Sequence, residues 1–93
     1  MKKKYIEKKF DIRNKQGLHA RPAALFVQTA NQFGAEIEVI KDDSVVSGKS
    51  IMGIMTLAAE AGSSIVVRAS GPDAAKAMDA LTKLFEGNFG ETE

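Results

Sequence analysis

The chain has 93 residues, no cysteine and a single histidine, which bounds it to one domain (residues 1–93) and excludes a disulfide framework, a thiolate metal site and a histidine metal cluster. Thirteen basic residues stand against twelve acidic ones, and this near-neutral balance with few aromatics argues against a nucleic-acid binder. Met1, Lys2, Lys3 and Lys4 imitate the start of a signal peptide. However, Tyr5, Ile6, Glu7, Lys8 and Lys9 stand where its apolar stretch belongs, and no apolar run reaches membrane-spanning length. The expectation is a cytoplasmic protein without direct membrane insertion, its basic start a solvated run-up to a strand.

Residues 8–13 place Phe10 and Ile12 two apart with charges between them, the period of a strand with one buried face. Asn14 to Gly17 break that strand. Over residues 20–33, Ala23, Phe26, Val27 and Ala30 fall at i, i+3, i+4 and i+7, which predicts a helix with Gly34 as its C-terminal cap. Residues 36–41 alternate through Ile37 and Val39, Asp42 and Asp43 turn the chain, and residues 44–47 bring Val45 and Val46 back as a second strand of a hairpin. After Gly48 an apolar helix is predicted from Ile51 to about Ala61, closed by Gly62, and then a β-branched strand over residues 64–70. Asp73 is placed to cap a last helix whose buried face is Ala74, Ala77, Met78, Leu81 and Phe85, ahead of a polar tail from Gly87. The order βαββαβα predicts an α+β layer with helices on one face of a sheet. The expected core is Phe10, Ile12, Phe26, Val27, Ile37, Val39, Ile54, Ile65, Val67, Met78 and Leu81.

The histidine, His19, lies in the run Gly17, Leu18, His19, Ala20, Arg21, Pro22, Ala23, where loop gives way to helix. Proline is favoured in the first turn of a helix, so Pro22 marks a start and places His19 at the helix mouth. Unpartnered amides and the positive end of the helix dipole converge there, and the Arg21 guanidinium adds donors suited to phosphate oxygens. The dipole disfavours a positive charge there by about 0.3–1 kcal/mol, and a neutral imidazole is a suitable nucleophile for phosphoryl transfer. Alone, a histidine at a helix start is most often a cap or a surface residue, and the surrounding run is what turns the reading toward phosphoryl chemistry.

Two motifs carry a resemblance over residues 10–85. The first is the run from Gly17 to Ala23, and the second is Gly48, Lys49, Ser50, Ile51, Met52, Gly53. In these the chain resembles the HPr family, the histidine-containing phosphocarriers of the bacterial phosphoenolpyruvate-dependent sugar phosphotransferase system. The resemblance implies an open-faced sandwich, a four-stranded antiparallel sheet with three helices on one face. It implies that His19 takes a phosphoryl group from phospho-enzyme I on Nδ1, the pros nitrogen, with Ala20 and Arg21 holding the phosphate. The group then goes to acceptor domains of sugar permeases or regulators. It implies no cofactor and no catalytic turnover of its own, and the chain is expected to act as a monomer.

Ser50, just ahead of Ile51, is placed as an N-cap, which suffices to explain a serine. The resemblance adds a regulatory role, in which a serine kinase/phosphorylase modifies Ser50 and lowers transfer at His19. Gly48-Lys49-Ser50 also ends like a phosphate-binding P-loop, but Asp43 stands where that motif needs a glycine. The predicted second helix carries no charge from Ile51 to Ala59, so it cannot be buried on every side. With Ile54, Leu57 and Ala58 inward, the residues Ile51, Met52 and Met55, together with Thr56 and Leu18, form an expected partner-docking patch, methionine being adaptable to varied partners. Gly53 costs the helix about 1 kcal/mol relative to alanine, and close approach of a partner would account for it.

Ala20 replaces a hydroxyl residue of some relatives, the first helix has no lysine, and the tail Leu84, Phe85, Glu86, Gly87, Asn88, Phe89, Gly90 also resembles the nitrogen-branch regulatory paralogue. Two other classes compete: a ferredoxin-like ligand-binding regulatory domain, and an interaction module in which His19 is idle and Ser50 matters.

Overall fold

In the computed structural model, which describes residues 4–91, the chain runs β1 (Ile6–Asp11), α1 (Ala20–Ala30), β2 (Glu36–Lys41), β3 (Ser44–Ser47), α2 (Ile51–Thr56), β4 (Ser64–Ser70) and α3 (Ala74–Glu86), followed by a 3₁₀ turn, Asn88–Gly90. The basic lead-in Met1, Lys2, Lys3 lies outside the described residues. The four strands form one antiparallel sheet in the order β1-β4-β2-β3, with β4 paired from Ile6↔Ala69 to Asp11↔Ser64 on one side and from Glu36↔Ser70 to Ile40↔Val66 on the other. Three helices cover one face, as expected of an open-faced sandwich.

Alternation decides which side of each strand meets the helices. Ile37 and Val39 of β2, Ile65, Val67 and Ala69 of β4, and Phe10 of β1 turn inward and are buried against Phe26 and Val27 of α1 and Met78, Leu81 and Phe85 of α3. All eleven expected core residues are buried. An aromatic cluster fills one end: Phe85 stacks on Phe10 at a centroid distance of 4.1 Å and meets Phe26 and Phe89 edge-on at 6.2 and 4.9 Å.

Several boundaries depart from the sequence reading. β1 starts and ends two residues early because its partner β4 ends opposite Asp11, although Ile12 stays buried and exchanges hydrogen bonds with Ser63 and Gly62. The first helix stops at Ala30 with Asn31 as its C-cap, so Gly34 is not the cap. Instead, the N–H groups of Gly34 and Ala35 each donate to the Asp73 carboxylate at 2.8 Å. Asp73 does occupy the N-cap position of α3, but its side chain bonds no amide of that helix; it straps the α1–β2 connection to the start of α3.

The largest difference is α2, which ends at Thr56 rather than near Ala61. Leu57 is its C-cap, Ala58 takes a left-handed φ of 51° and is exposed rather than inward, and Leu57 and Ala59 are both buried. A continuing helix could not bury residues two apart on the same side, so the chain unwinds to do it.

Candidate functional site

His19 is the N-cap residue of α1, with extended backbone (φ −78°, ψ −169°), and its carbonyl accepts the first helical hydrogen bond from Ala23 N–H at 3.0 Å. Pro22 carries no N–H, so Ala20 and Arg21 supply the first-turn amides that have no helical partner, and both residues are exposed. The loop before the histidine is fixed at two points. Gly17 N–H closes a turn onto the Asn14 carbonyl (2.9 Å), and Leu18 N–H donates to the Ala59 carbonyl (2.9 Å). Leu18 is therefore not part of an exposed docking rim. It is 6% exposed and packs in the core, because its amide is tied to the segment after α2.

The imidazole is one-third exposed, and its Nε2 lies 2.9 Å from Oε2 of Glu91. A carboxylate only accepts, so the ring proton of the neutral imidazole is assigned to Nε2, and Nδ1 is left with its lone pair. The other Glu91 oxygen accepts from the side-chain amide of Asn14 at 2.6 Å. Asn14 is itself buried, and the same amide reaches the Asn88 carbonyl at 3.4 Å. The Asn14 hydrogen bond, then the hydrogen bond and charge of His19 and the charge of Arg21, hold the Glu91 carboxyl below its usual range against the opposing effect of desolvation. Glu91 was missed in the sequence, where it fell in a tail read only as polar. The signal available there was Phe89, a large aromatic residue among polar neighbours.

A carboxyl with a lowered folded-state pKa contributes stability that is present above its unfolded value, about 4.3 for glutamate, and is lost as the pH falls through the folded value. Acidification below about pH 4 is therefore expected to weaken the hold of the Glu91 carboxylate on Asn14 and His19 while the sheet stays folded, read on the Asn14 and Glu91 side-chain signals in NMR spectra. Tail signals unchanged to pH 2 would contradict this.

Ser50 is the N-cap of α2, and its hydroxyl accepts from Gly53 N–H at 3.0 Å. Lys49 is drawn away, its ammonium donating to the Phe33 carbonyl just past α1 at 2.7 Å. A Cβ at Gly53 would stand 3.2 Å from both the Ser50 hydroxyl and Val46 Cβ, so internal packing accounts for this glycine without a partner. Ile51, Met52 and Met55 are exposed by 41%, 73% and 41%, while Ile54 between them is buried. Thr56 is also exposed, its hydroxyl donating to the Gly53 carbonyl. Thus α1 brings His19, Ala20 and Arg21 together, and the neighbouring α2 presents Ser50 and an apolar patch separately. Among the described residues no group of acidic, histidine or cysteine side chains could hold a metal ion, and no helix is long and apolar enough to cross a membrane.

Residues 6–87 match the family described as PTS HPr component phosphorylation site. The chain belongs to the HPr family. A phosphocarrier protein HPr of Neisseria meningitidis is 52% identical over 88 residues, covering 95% of this chain and 99% of the relative. An HPr-like protein Crh of Halalkalibacterium halodurans is 49% identical over 81 residues, covering 87% and 96%. Among solved structures, HPr-C-His from Thermoanaerobacter tengcongensis superposes with a TM-score of 0.91 at 50% identity, covering 95% of this chain and 99% of that one. In this chain α1 packs on α2, so the histidine at the start of α1 and the exposed face of α2 belong to neighbouring elements.

Proposed function

We propose that the chain is a phosphocarrier. His19 accepts a phosphoryl group from phospho-enzyme I and passes it to acceptor domains of sugar permeases or regulators. The observation that carries this reading is the division of labour on the imidazole. Nε2 is engaged by Glu91, so Nδ1 is the nitrogen with a lone pair to attack phosphorus, at the start of a helix whose Ala20 and Arg21 amides have no helical partner. In that step the bond from phosphorus to the donor breaks, an Nδ1–P bond forms, and Nε2 keeps its proton. The Arg21 guanidinium and the first-turn amides meet the phosphoryl oxygens, which supplies positioning and charge compensation. Acceptors reverse the step, so the chain is a relay and a substrate of its donors, without turnover of its own, and it works in the cytoplasm.

The exposed Ile51, Met52 and Met55 of α2, with Thr56 beside them, suit docking on donor and acceptors of different shape. Ser50 is the regulatory position in this reading. A phosphate on its oxygen would add about −1.5 to −2 charges beside that patch, and a serine kinase/phosphorylase would be a further partner.

The test is covalent. Incubation with phosphoenolpyruvate and a bacterial enzyme I is expected to give one acid-labile, alkali-stable phosphoryl group, located on His19 by mass spectrometry and absent in His19→Ala. Absence of label, or label that survives His19→Ala, overturns the reading.

A further inference from the structure

With four methionines and no cysteine, the chain carries thioethers as its only sulfur. Met1 lies outside the described residues, and the other three divide by place. Met78 is 5% exposed and packs in the core from α3. Met52 and Met55 stand three residues apart on α2, 73% and 41% exposed, while the buried Ile54 between them anchors that helix. A peroxide that reaches an exposed thioether turns an adaptable apolar side chain into a polar sulfoxide. Neither exposed sulfur supports the fold, so this change is free to act on what α2 meets.

The surroundings offer the new oxygen little. From Ile51 to Ala59 the chain carries no charge. The Lys49 ammonium donates to the Phe33 carbonyl at 2.7 Å, the Thr56 hydroxyl to the Gly53 carbonyl at 2.7 Å, and Gly53 N–H to the Ser50 hydroxyl at 3.0 Å. The donors nearest in sequence are thus engaged. In the free protein, water satisfies a sulfoxide on Met52 or Met55. Pressed against the apolar surface of a partner, the same oxygen loses that water and gains no donor, which weakens the contact.

Building on the phosphocarrier reading, we propose that Met52 and Met55 form a reversible oxidation site, at which a peroxide converts both thioethers to sulfoxides and loosens the docking of α2 on enzyme I. In the forward step a sulfur lone pair attacks one oxygen of hydrogen peroxide. The S–O bond forms as the O–O bond breaks, the other oxygen leaves as water, and the two electrons lost by sulfur pass to the peroxide. In the return step a dithiol reductant removes the sulfoxide oxygen as water and is itself oxidised to a disulfide. His19 and its phosphoryl chemistry are untouched, so the site governs access of partners and not the reactivity of the imidazole.

The test uses the whole protein and mild hydrogen peroxide. Peptide mass spectrometry is expected to find one oxygen added to each of Met52 and Met55, Met52 first, with Met78 unchanged in the folded protein. The oxidised protein should melt within a few degrees of the untreated one and take phosphate from phosphoramidate, which needs no enzyme I, at the same rate. As a substrate of phospho-enzyme I its KM is expected to rise roughly three- to thirtyfold with kcat nearly constant, and methionine sulfoxide reductase should reverse the rise. Met52→Leu/Met55→Leu, whatever its own KM, should show no further rise after the same treatment, which assigns the effect to these two sulfurs. Three results overturn the proposal and leave the carrier reading standing: an unchanged KM after both residues are oxidised, an equal rise in the double leucine variant, or a rise accompanied by a lower melting temperature. Untreated protein that phospho-enzyme I does not label overturns the carrier reading, and this proposal with it.

Discussion

Gly17→Ala is expected to destabilise the protein by roughly 2–5 kcal/mol and to displace the histidine loop. The estimate sums a left-handed alanine, about 1–2 kcal/mol, and an overpacked contact, about 1–3 kcal/mol. The glycine has a φ of +70°, and a Cβ there would lie 2.4 Å from the Ala59 carbonyl oxygen and 3.0 Å from Glu60 Cα, both backbone atoms that no side-chain rotation can move aside. The oxygen it would strike is the acceptor of the Leu18 amide, so relief of the clash breaks the bond that sets the chain entering His19. Gly62→Ala is the matched control. Its φ is +90° with nothing within 4 Å of the added Cβ, so only the conformational cost of about 1–2 kcal/mol applies. Denaturant melts of the two variants should differ by the steric part, and only Gly17→Ala should shift the His19 ring resonances. Equal losses in the two variants would show that the close approach to Ala59 does not govern this loop.

How much of this was legible before the structure depended on whether the cause was local. β2, β3 and β4 have the predicted bounds, because the alternation of β2, the Asp42-Asp43 turn and the β-branched run of β4 are properties of neighbouring residues. The early end of α2 was not legible. Nothing from Leu57 to Ala61 breaks a helix, and the chain turns there because Leu57 and Ala59 both enter the core and the Ala59 carbonyl serves Leu18. Asp73 was read as a cap because that is the commonest use of an aspartate at a helix start, whereas its partners Gly34 and Ala35 lie 39 and 38 residues away.

The candidate site divides in the same way. His19, Arg21 and Ser50 announce themselves through a proline at a helix start and a serine ahead of an apolar run. Glu91 is invisible by such rules. Its relation to His19 depends on Asn14, 77 residues earlier, and on a ring of Phe89 that must find Phe85. The outward trio Ile51, Met52 and Met55 was legible from the missing charge on their helix, but Leu18 was misplaced because its burial follows from a backbone bond, and no side-chain pattern signals one.

Phe26→Ala should have the largest effect on stability, about 3–5 kcal/mol, the usual cost of removing a buried phenylalanine. The ring is 1% exposed on α1, meets Phe85 of α3 edge-on at 6.2 Å and lies against the turn before α2, where a Cβ on Gly48 would come within 3.1 Å of it. One side chain thus joins three elements, and the backbone has little freedom to close around the hole. For a domain of this size each kcal/mol is worth about 4–8 °C in melting temperature, so a fall of some 12–40 °C is expected by calorimetry. Domains of this kind are stable by only about 5–15 kcal/mol, which places the variant near the edge of folding at 37 °C. The useful contrast is Met52→Ala, at a side chain 73% exposed, where the melting temperature should stay within a few degrees. Both residues are apolar and both lie near the histidine's helix, but only one of them is spent on holding the fold. If Met52→Ala slows phosphoryl uptake from enzyme I while leaving the melt unchanged, α2's outer face serves partners. If it lowers the melt as Phe26→Ala does, that face belongs to the core and the docking assignment falls.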